Sequence, residues 1–130
     1  MDIFSDLVKK TNIGVKNIDD DYLIKIADMI VLATKKGKKI LFIGNGGSNA
    51  DAQHMVAELT GRYNIERAPI KALAQTNMAE LTSIANNHDY VTATLRFIEI
   101  WEEEGDILFA ISKSGKAENI LKGATVAREK

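Results

Sequence analysis

Two short segments of this chain concentrate the groups that hold anions. Gly44-Asn45-Gly46-Gly47-Ser48-Asn49 combines glycines, which let backbone approach a ligand closely, with amide and hydroxyl side chains. Free N–H groups and the dipole of a following helix, whose first turn is expected to contain Asp51, would favour an anion or polar oxygens there. Ser112-Lys113-Ser114-Gly115 offers hydroxyls, backbone amides and a cation, a set suited to phosphate. Neither segment is a familiar nucleotide loop. Asn49 stands where a dinucleotide fingerprint has its third glycine, and no Gly-Lys-Ser/Thr follows as in a P-loop. A tight connection for the first and a serine helix cap for the second are the plain structural alternatives.

His54 and Glu58 form a third constellation. Four residues apart on a helix, their Cβ atoms lie about 5–6 Å from each other on one face. A carboxylate beside a bound sugar can shuttle a proton, and a His/Glu pair can supply two zinc ligands. Zinc takes about four ligands, so the others would have to come from elsewhere. The plain alternative is a surface His–Glu hydrogen bond. His88, within Asn86-Asn87-His88-Asp89, reads as a loop residue.

The surrounding pattern supplies elements to position these groups. Ile3, Phe4, Leu7 and Val8, then Tyr22, Leu23, Ile26, Ile30 and Val31, recur at three- and four-residue spacing, which predicts two amphipathic helices within residues 1–36. Asp19, Asp20 and Asp21 are placed to cap the second. After Gly37 the period changes. Lys39-Ile40-Leu41-Phe42-Ile43, ended by Gly44, predicts a strand buried on both faces and therefore a parallel sheet. A helix over about Ser48–Arg62 and a weaker strand at Ile70–Ala74 complete a βαβ unit. Met78–Trp101 is expected to be helical with a break near Asn86-Asn87-His88, Ile107–Ile111 is a third strand, and Ala117 opens the last helix. Strand, small polar loop, helix thus occurs twice. Because ligands collect beyond the carboxyl ends of parallel strands, the two loops are expected to face one cleft.

Composition narrows the class. The 130 residues fit a single domain, and 45% hydrophobic with 27% charged residues is a globular mix. Seventeen Lys and Arg against 18 Asp and Glu give a net charge of −1, without the basic excess of a nucleic-acid binder. The absence of cysteine excludes disulfides, thiolate zinc ligands and a thiol nucleophile, and suits a reducing cytoplasm. Met1–Lys10 lacks a signal-peptide apolar core, and no run approaches the roughly 20 apolar residues that span a bilayer, so neither export nor a membrane is expected.

Gly44–Ser48, Asp51-Ala52-Gln53-His54 and Ala57–Tyr63 together resemble the signature of phosphoheptose isomerases, the sedoheptulose 7-phosphate isomerases of the sugar isomerase (SIS) fold. Leu81–Asn86, Gly105–Leu108 and Ile111–Gly115 fall where that family has similar segments, so the resemblance covers nearly all of the chain. It implies an α/β, SIS-type (flavodoxin-like) three-layer fold: two N-terminal helices over residues 1–36, then a core over 37–130 with a mostly parallel sheet. It also implies a cytoplasmic homotetramer whose sites use neighbouring subunits, and conversion of a ketose phosphate to an aldose phosphate for heptose synthesis.

By position, the resemblance makes Asn45, Gly46, Gly47, Ser48, Asn86 and Asn87 contacts to the sugar, and Ser112, Lys113 and Ser114 the phosphate loop. Glu58 becomes the acid/base, and His54 with Glu58 the helix-borne half of a zinc site. Relatives usually carry Thr at 113, Ser at 117 and Asp at 87, where this chain has Lys113, Ala117 and Asn87. They also continue beyond the position of Lys130 through further strands and a last helix bearing a histidine and a glutamine, from which the remaining zinc ligands are expected. A second reading is a non-catalytic SIS domain that binds sugar phosphates or regulatory partners. Retention of Glu58 and Gly61 favours isomerase ancestry.

Overall fold

The apolar run after Gly37 becomes the centre of a three-stranded, all-parallel sheet in the computed structural model, which describes residues 2–129. Two helices precede it, α1 (Ile3–Lys16) and α2 (Asp20–Lys35). Then come β1 (Ile40–Gly44), α3 (Gly47–Thr60), β2 (Ala72–Ala74), α4 (Met78–Asn87), α5 (Tyr90–Trp101), β3 (Ile107–Ile111) and α6 (Glu118–Arg128). The chain divides into two compact units, one ending at Leu32 and the other beginning at Ala33.

In the first unit, Asp2 caps α1 by accepting from the Phe4 N–H. Asp19 caps α2 as its position predicts, its Oδ1 accepting from the N–H groups of Asp21 and Tyr22 at 3.0 and 3.4 Å. α1 buries none of its residues, and Ile3, Phe4, Leu7 and Ile13 expose their apolar side chains, as do Tyr22, Leu23 and Ile24 of α2.

The second unit holds the sheet, in the order β2-β1-β3. Ile40, Leu41, Phe42 and Ile43 are all 0–1% exposed, so β1 is covered on both faces. Leu41 and Ile43 pack with Phe97 and Ile98 of α5 and Ile120 of α6. Alternation along the strand turns Phe42 to the other face, where its ring stacks on Phe109 at 5.1 Å between centroids.

The register of β1 against β3 is pinned at its start by Asp106. Its Oδ1 accepts from the Lys39 N–H at 2.9 Å, and its Oδ2 from the Glu103 N–H at 2.9 Å. The same Oδ2 lies 2.6 Å from Lys39 Nζ. Pairing then runs from Ile40 with Ile107 to Gly44 with Ile111.

Besides a one-residue shift of β1 to Ile40–Gly44, four boundaries differ from the sequence reading. The second strand begins at Ala72 rather than Ile70, because the Ile70 N–H is drawn to the Leu59 carbonyl at the end of α3 and leaves the ladder. α3 begins at Gly47, started by Gly46 at φ +53°, so Asp51 falls in its second turn instead of its first. The same helix stops at Thr60, where the Gly61 N–H closes on the Ala57 carbonyl. α6 begins at Glu118 after Ala117, which caps it without a side-chain hydrogen bond.

Gly44 carries a steric requirement. A Cβ there would lie 2.7 Å from the carbonyl carbon and oxygen of Ser48 and 3.0 Å from the Asn49 nitrogen, all backbone of the first turn of α3. Gly44→Ala is therefore expected to destabilise the fold by about 3 kcal/mol, near the upper end of overpacking costs, because no side chain can yield. A thermal melt against the parent chain checks this.

Candidate functional site

β1 is followed by a connection to β2 on one side, while β3 lies on its other side, so the strand order reverses between β1 and β3. Open α/β sheets gather ligands at that point, outside the carboxyl ends. A cleft of about 490 Å³ lies there, lined by Asn45, Ser48, Ile111, Ser112, Lys113, Ser114 and Ala117. The two polar loops thus meet in one cleft, as expected. Gly46 lines a neighbouring depression with Gly44, Asn49 and Gln75 instead.

The second loop is folded by its own hydroxyls. Ser112 Oγ accepts from the Gly115 N–H at 3.2 Å and Ser114 Oγ from the Lys116 N–H at 3.1 Å. These serines tighten the turn and do not cap α6, and each hydroxyl hydrogen remains available as a donor. Lys113 stands exposed at the rim. Hydroxyls, an ammonium and the first turn of α6, which has no side-chain cap and carries Glu118, together supply hydrogen-bond donors at this mouth.

The first loop is held by a network the sequence reading did not anticipate. Asn45 Nδ2 donates to Asn119 Oδ1 at 2.8 Å, and Asn119 Nδ2 donates back to Asn45 Oδ1 at 2.9 Å. Asn119 Nδ2 also donates to Thr94 Oγ1 at 3.0 Å, and the Tyr90 hydroxyl donates to Asn45 Oδ1 at 2.9 Å. Asn119 is 4% exposed and Thr94 1%. The available signal was a lone Asn on the buried stripe that α6 forms with Ile120 and Gly123. Asn49 has a supporting role: its Nδ2 donates to the carbonyls of Gly44 and Gln75 at 3.2 and 2.8 Å, tying the end of β1 to the segment after β2.

His54 and Glu58 line a different cleft, of about 390 Å³, with Met55, Leu59, Tyr63 and Arg67. His54 Nε2 lies 3.4 Å from Glu58 Oε1, so the predicted pair is formed. Arg67 fixes the end of the helix beneath it, its guanidinium donating to the carbonyls of Glu58 at 2.6 Å and Leu59 at 2.9 Å. Glu58 is ten residues from Ser48, which places it about 15 Å further along α3. Asn86 and Asn87, exposed on the last turn of α4, line neither cleft. His88 ends that helix and sets its Nε2 3.2 Å from the Arg96 guanidinium.

The described residues contain no group of three or more His, Asp or Glu able to hold a metal ion. His54 and Glu58 alone do not make a zinc site, which needs at least three protein ligands.

The family model described as SIS domain matches residues 4–130. The chain belongs to the SIS domain family. A probable phosphoheptose isomerase of Thermoplasma acidophilum is 42% identical to this SIS domain over 113 residues, 86% of the chain and 62% of that protein. The phosphoheptose isomerase of Helicobacter hepaticus is 44% identical over 106 residues, covering 81% of the chain and 54% of that protein. Among solved structures, phosphoheptose isomerase GmhA from Neisseria gonorrhoeae superposes with a TM-score of 0.86 at 29% identity, over 97% of this chain and 65% of that one. A phosphoheptose isomerase from Francisella tularensis gives 0.88 at 28% identity, over 97% and 66%. This SIS domain therefore has the α/β fold its sequence resemblance implied, and spans roughly half to two thirds of the length of these relatives.

Proposed function

We propose that this SIS domain belongs to a phosphoheptose isomerase, converting sedoheptulose 7-phosphate to D-glycero-D-manno-heptose 7-phosphate in the cytoplasm for heptose-containing glycans such as lipopolysaccharide. The observation that carries the reading is the convergence of Asn45 and Ser48 with Ser112, Lys113 and Ser114 in one donor-lined cleft, in a chain whose relatives bear that name. The phosphate sits on the second loop. Asn45 and Ser48 reach toward the sugar, and Gly46 and Gly47 give the backbone room beside it.

In the chemical step the Glu58 carboxylate takes a proton from C1 of the ketose. The C1–H electron pair forms the C1=C2 bond, and the carbonyl π pair moves onto the C2 oxygen, which is protonated to give the enediol. Loss of the O1 proton re-forms a carbonyl at C1, and Glu58 returns its proton to C2. Polar donors around the C2 oxygen stabilise the developing charge. Zinc, where bound, would take two of its ligands from His54 and Glu58 and supply charge stabilisation to the sugar oxygens.

Because about 15 Å of helix separates Glu58 from Ser48, the Glu58 that serves this cleft would come from a second copy of the chain. Asn86 and Asn87 would meet the sugar hydroxyls in the same assembly. Self-association, as a homotetramer, also gives the exposed apolar residues of α1 and α2 a partner. The same separation favours the second reading, a domain that binds sugar phosphate without turnover.

Incubation with sedoheptulose 7-phosphate in D2O separates the two. An isomerase forms the aldose phosphate and exchanges a carbon-bound proton with solvent. Binding without product or exchange would leave the second reading, and no binding would refute both.

A further inference from the structure

We infer that Asn119, with Tyr90, is a positioning residue that fixes the side-chain amide of Asn45 and directs its one remaining donor to the ligand. This deepens the reading above and rests on it for the identity of the ligand.

A carboxamide has four hydrogen-bonding positions: two at the oxygen and two N–H groups. Three of those on Asn45 are taken inside the protein. Both positions on Oδ1 are filled, by the Tyr90 hydroxyl at 2.9 Å and Asn119 Nδ2 at 2.9 Å, and one N–H is given to Asn119 Oδ1 at 2.8 Å. One N–H is left on a half-buried residue that lines the cleft beside Ser48 and Ser112. Asn119 is itself constrained, since its second N–H goes to Thr94 Oγ1 at 3.0 Å.

The constraint has a chemical result. A half-turn of the Asn45 amide alone would set its NH2 against the NH2 of Asn119, so the two amides can turn only together. In the orientation observed, the cleft is offered a neutral donor in place of the carbonyl oxygen, which would repel a phosphate oxygen. The pair also links the end of β1 to α6, so the first loop is held to the helix that begins behind the second.

The test is a double-mutant cycle on sedoheptulose 7-phosphate affinity, measured calorimetrically, with the Asn45 side-chain amide followed by NMR in the ligand-free protein. Asn119→Leu is expected to weaken binding about tenfold and to collapse the distinct Asn45 amide resonances toward those of an exposed asparagine. In an Asn45→Ala background it should change affinity by less than about twofold, because it acts through Asn45. Tyr90→Phe, on a residue 46% exposed, should weaken binding a few-fold with the same non-additivity, and serves as the readout where Asn119→Leu does not fold.

Unchanged affinity, or an equal loss with and without Asn45, would make Asn119 a purely structural tie and overturn the inference. Unchanged amide resonances in either variant would overturn it whatever the ligand. If the parent protein binds no sugar phosphate while the resonances collapse as expected, positioning stands and the ligand assignment falls.

Discussion

For the proposed isomerase, replacing Glu58 by glutamine is expected to lower turnover of sedoheptulose 7-phosphate by a factor of about 10²–10⁴ while substrate affinity stays within a few-fold. Glutamine keeps the shape of the side chain and can still face His54, which lies 3.4 Å away, but it cannot accept a proton from carbon. The backbone beneath is held independently, since Arg67 binds the Glu58 carbonyl rather than its carboxylate. Rate and binding should therefore separate. Ala57→Gly is the control for damage to α3, with an expected cost of about 1 kcal/mol in stability and little in rate. Full conversion by folded Glu58→Gln protein would remove Glu58 from the proton-transfer step.

The second large effect is on stability, at Asp106. Its side chain is 1% exposed and gathers three donors, the N–H groups of Lys39 and Glu103 and the Lys39 ammonium. Burial pushes its pKa up, but the hydrogen bonds from the Lys39 ammonium and from the two backbone N–H groups outweigh it and hold the carboxyl below its usual range. Asp106→Asn keeps the volume and sets an NH2 among those donors. The expected cost is about 3 kcal/mol, read as a lowered urea midpoint, since the new NH2 leaves a backbone N–H of Lys39 or Glu103 without its buried acceptor, while the Lys39 ammonium keeps Glu103 at 3.2 Å.

The sign of the pH dependence follows from both partners. A depressed carboxyl pKa means that stability from Asp106 is complete above the unfolded value of about 3.9 and is lost as pH falls through the lower folded value. Burial lowers the Lys39 pKa, yet the hydrogen bonds its ammonium donates to Asp106 and Glu103 raise it overall. Its contribution is therefore complete below about pH 10.4 and is lost as pH rises through the raised value. The urea midpoint of the parent should fall steeply below pH 4, and that of Asp106→Asn much less. Equal slopes would show that the carboxylate is not what acid titrates.

Much of this was legible where one local signal dominates. Ile40-Leu41-Phe42-Ile43 admits little besides a buried strand, and the loops at Gly44 and Ser112 announced themselves by composition. Asp19 ahead of an apolar stripe marked a helix start correctly. What escaped depended on partners far away in the chain. Ile70 has strand-forming character and is lost to the Leu59 carbonyl, a competition invisible along the sequence. Asn119 resembles an ordinary helix residue until its partner Asn45, 74 positions earlier, is placed beside it. The distance from Glu58 to the cleft needed only the rise of a helix. Its meaning needed the structure, which puts the two polar loops together and leaves Glu58 aside.

The parallel order of the sheet sets a timetable for synthesis. β1 pairs with β2 over a separation of 32 residues, Ile40 to Ala72, but with β3 only over 67, Ile40 to Ile107. At about 5–20 residues per second, β1 leaves the ribosome several seconds ahead of β3 and for that interval carries an unpaired edge of its most apolar segment. The cleft cannot exist before β3 docks, since four of its seven lining residues follow that strand. A nascent chain interrupted anywhere between Trp101 and Ile107 would hold a complete Gly44–Asn49 loop without the Ser112–Gly115 loop that completes the cleft, while presenting a sticky strand to its neighbours.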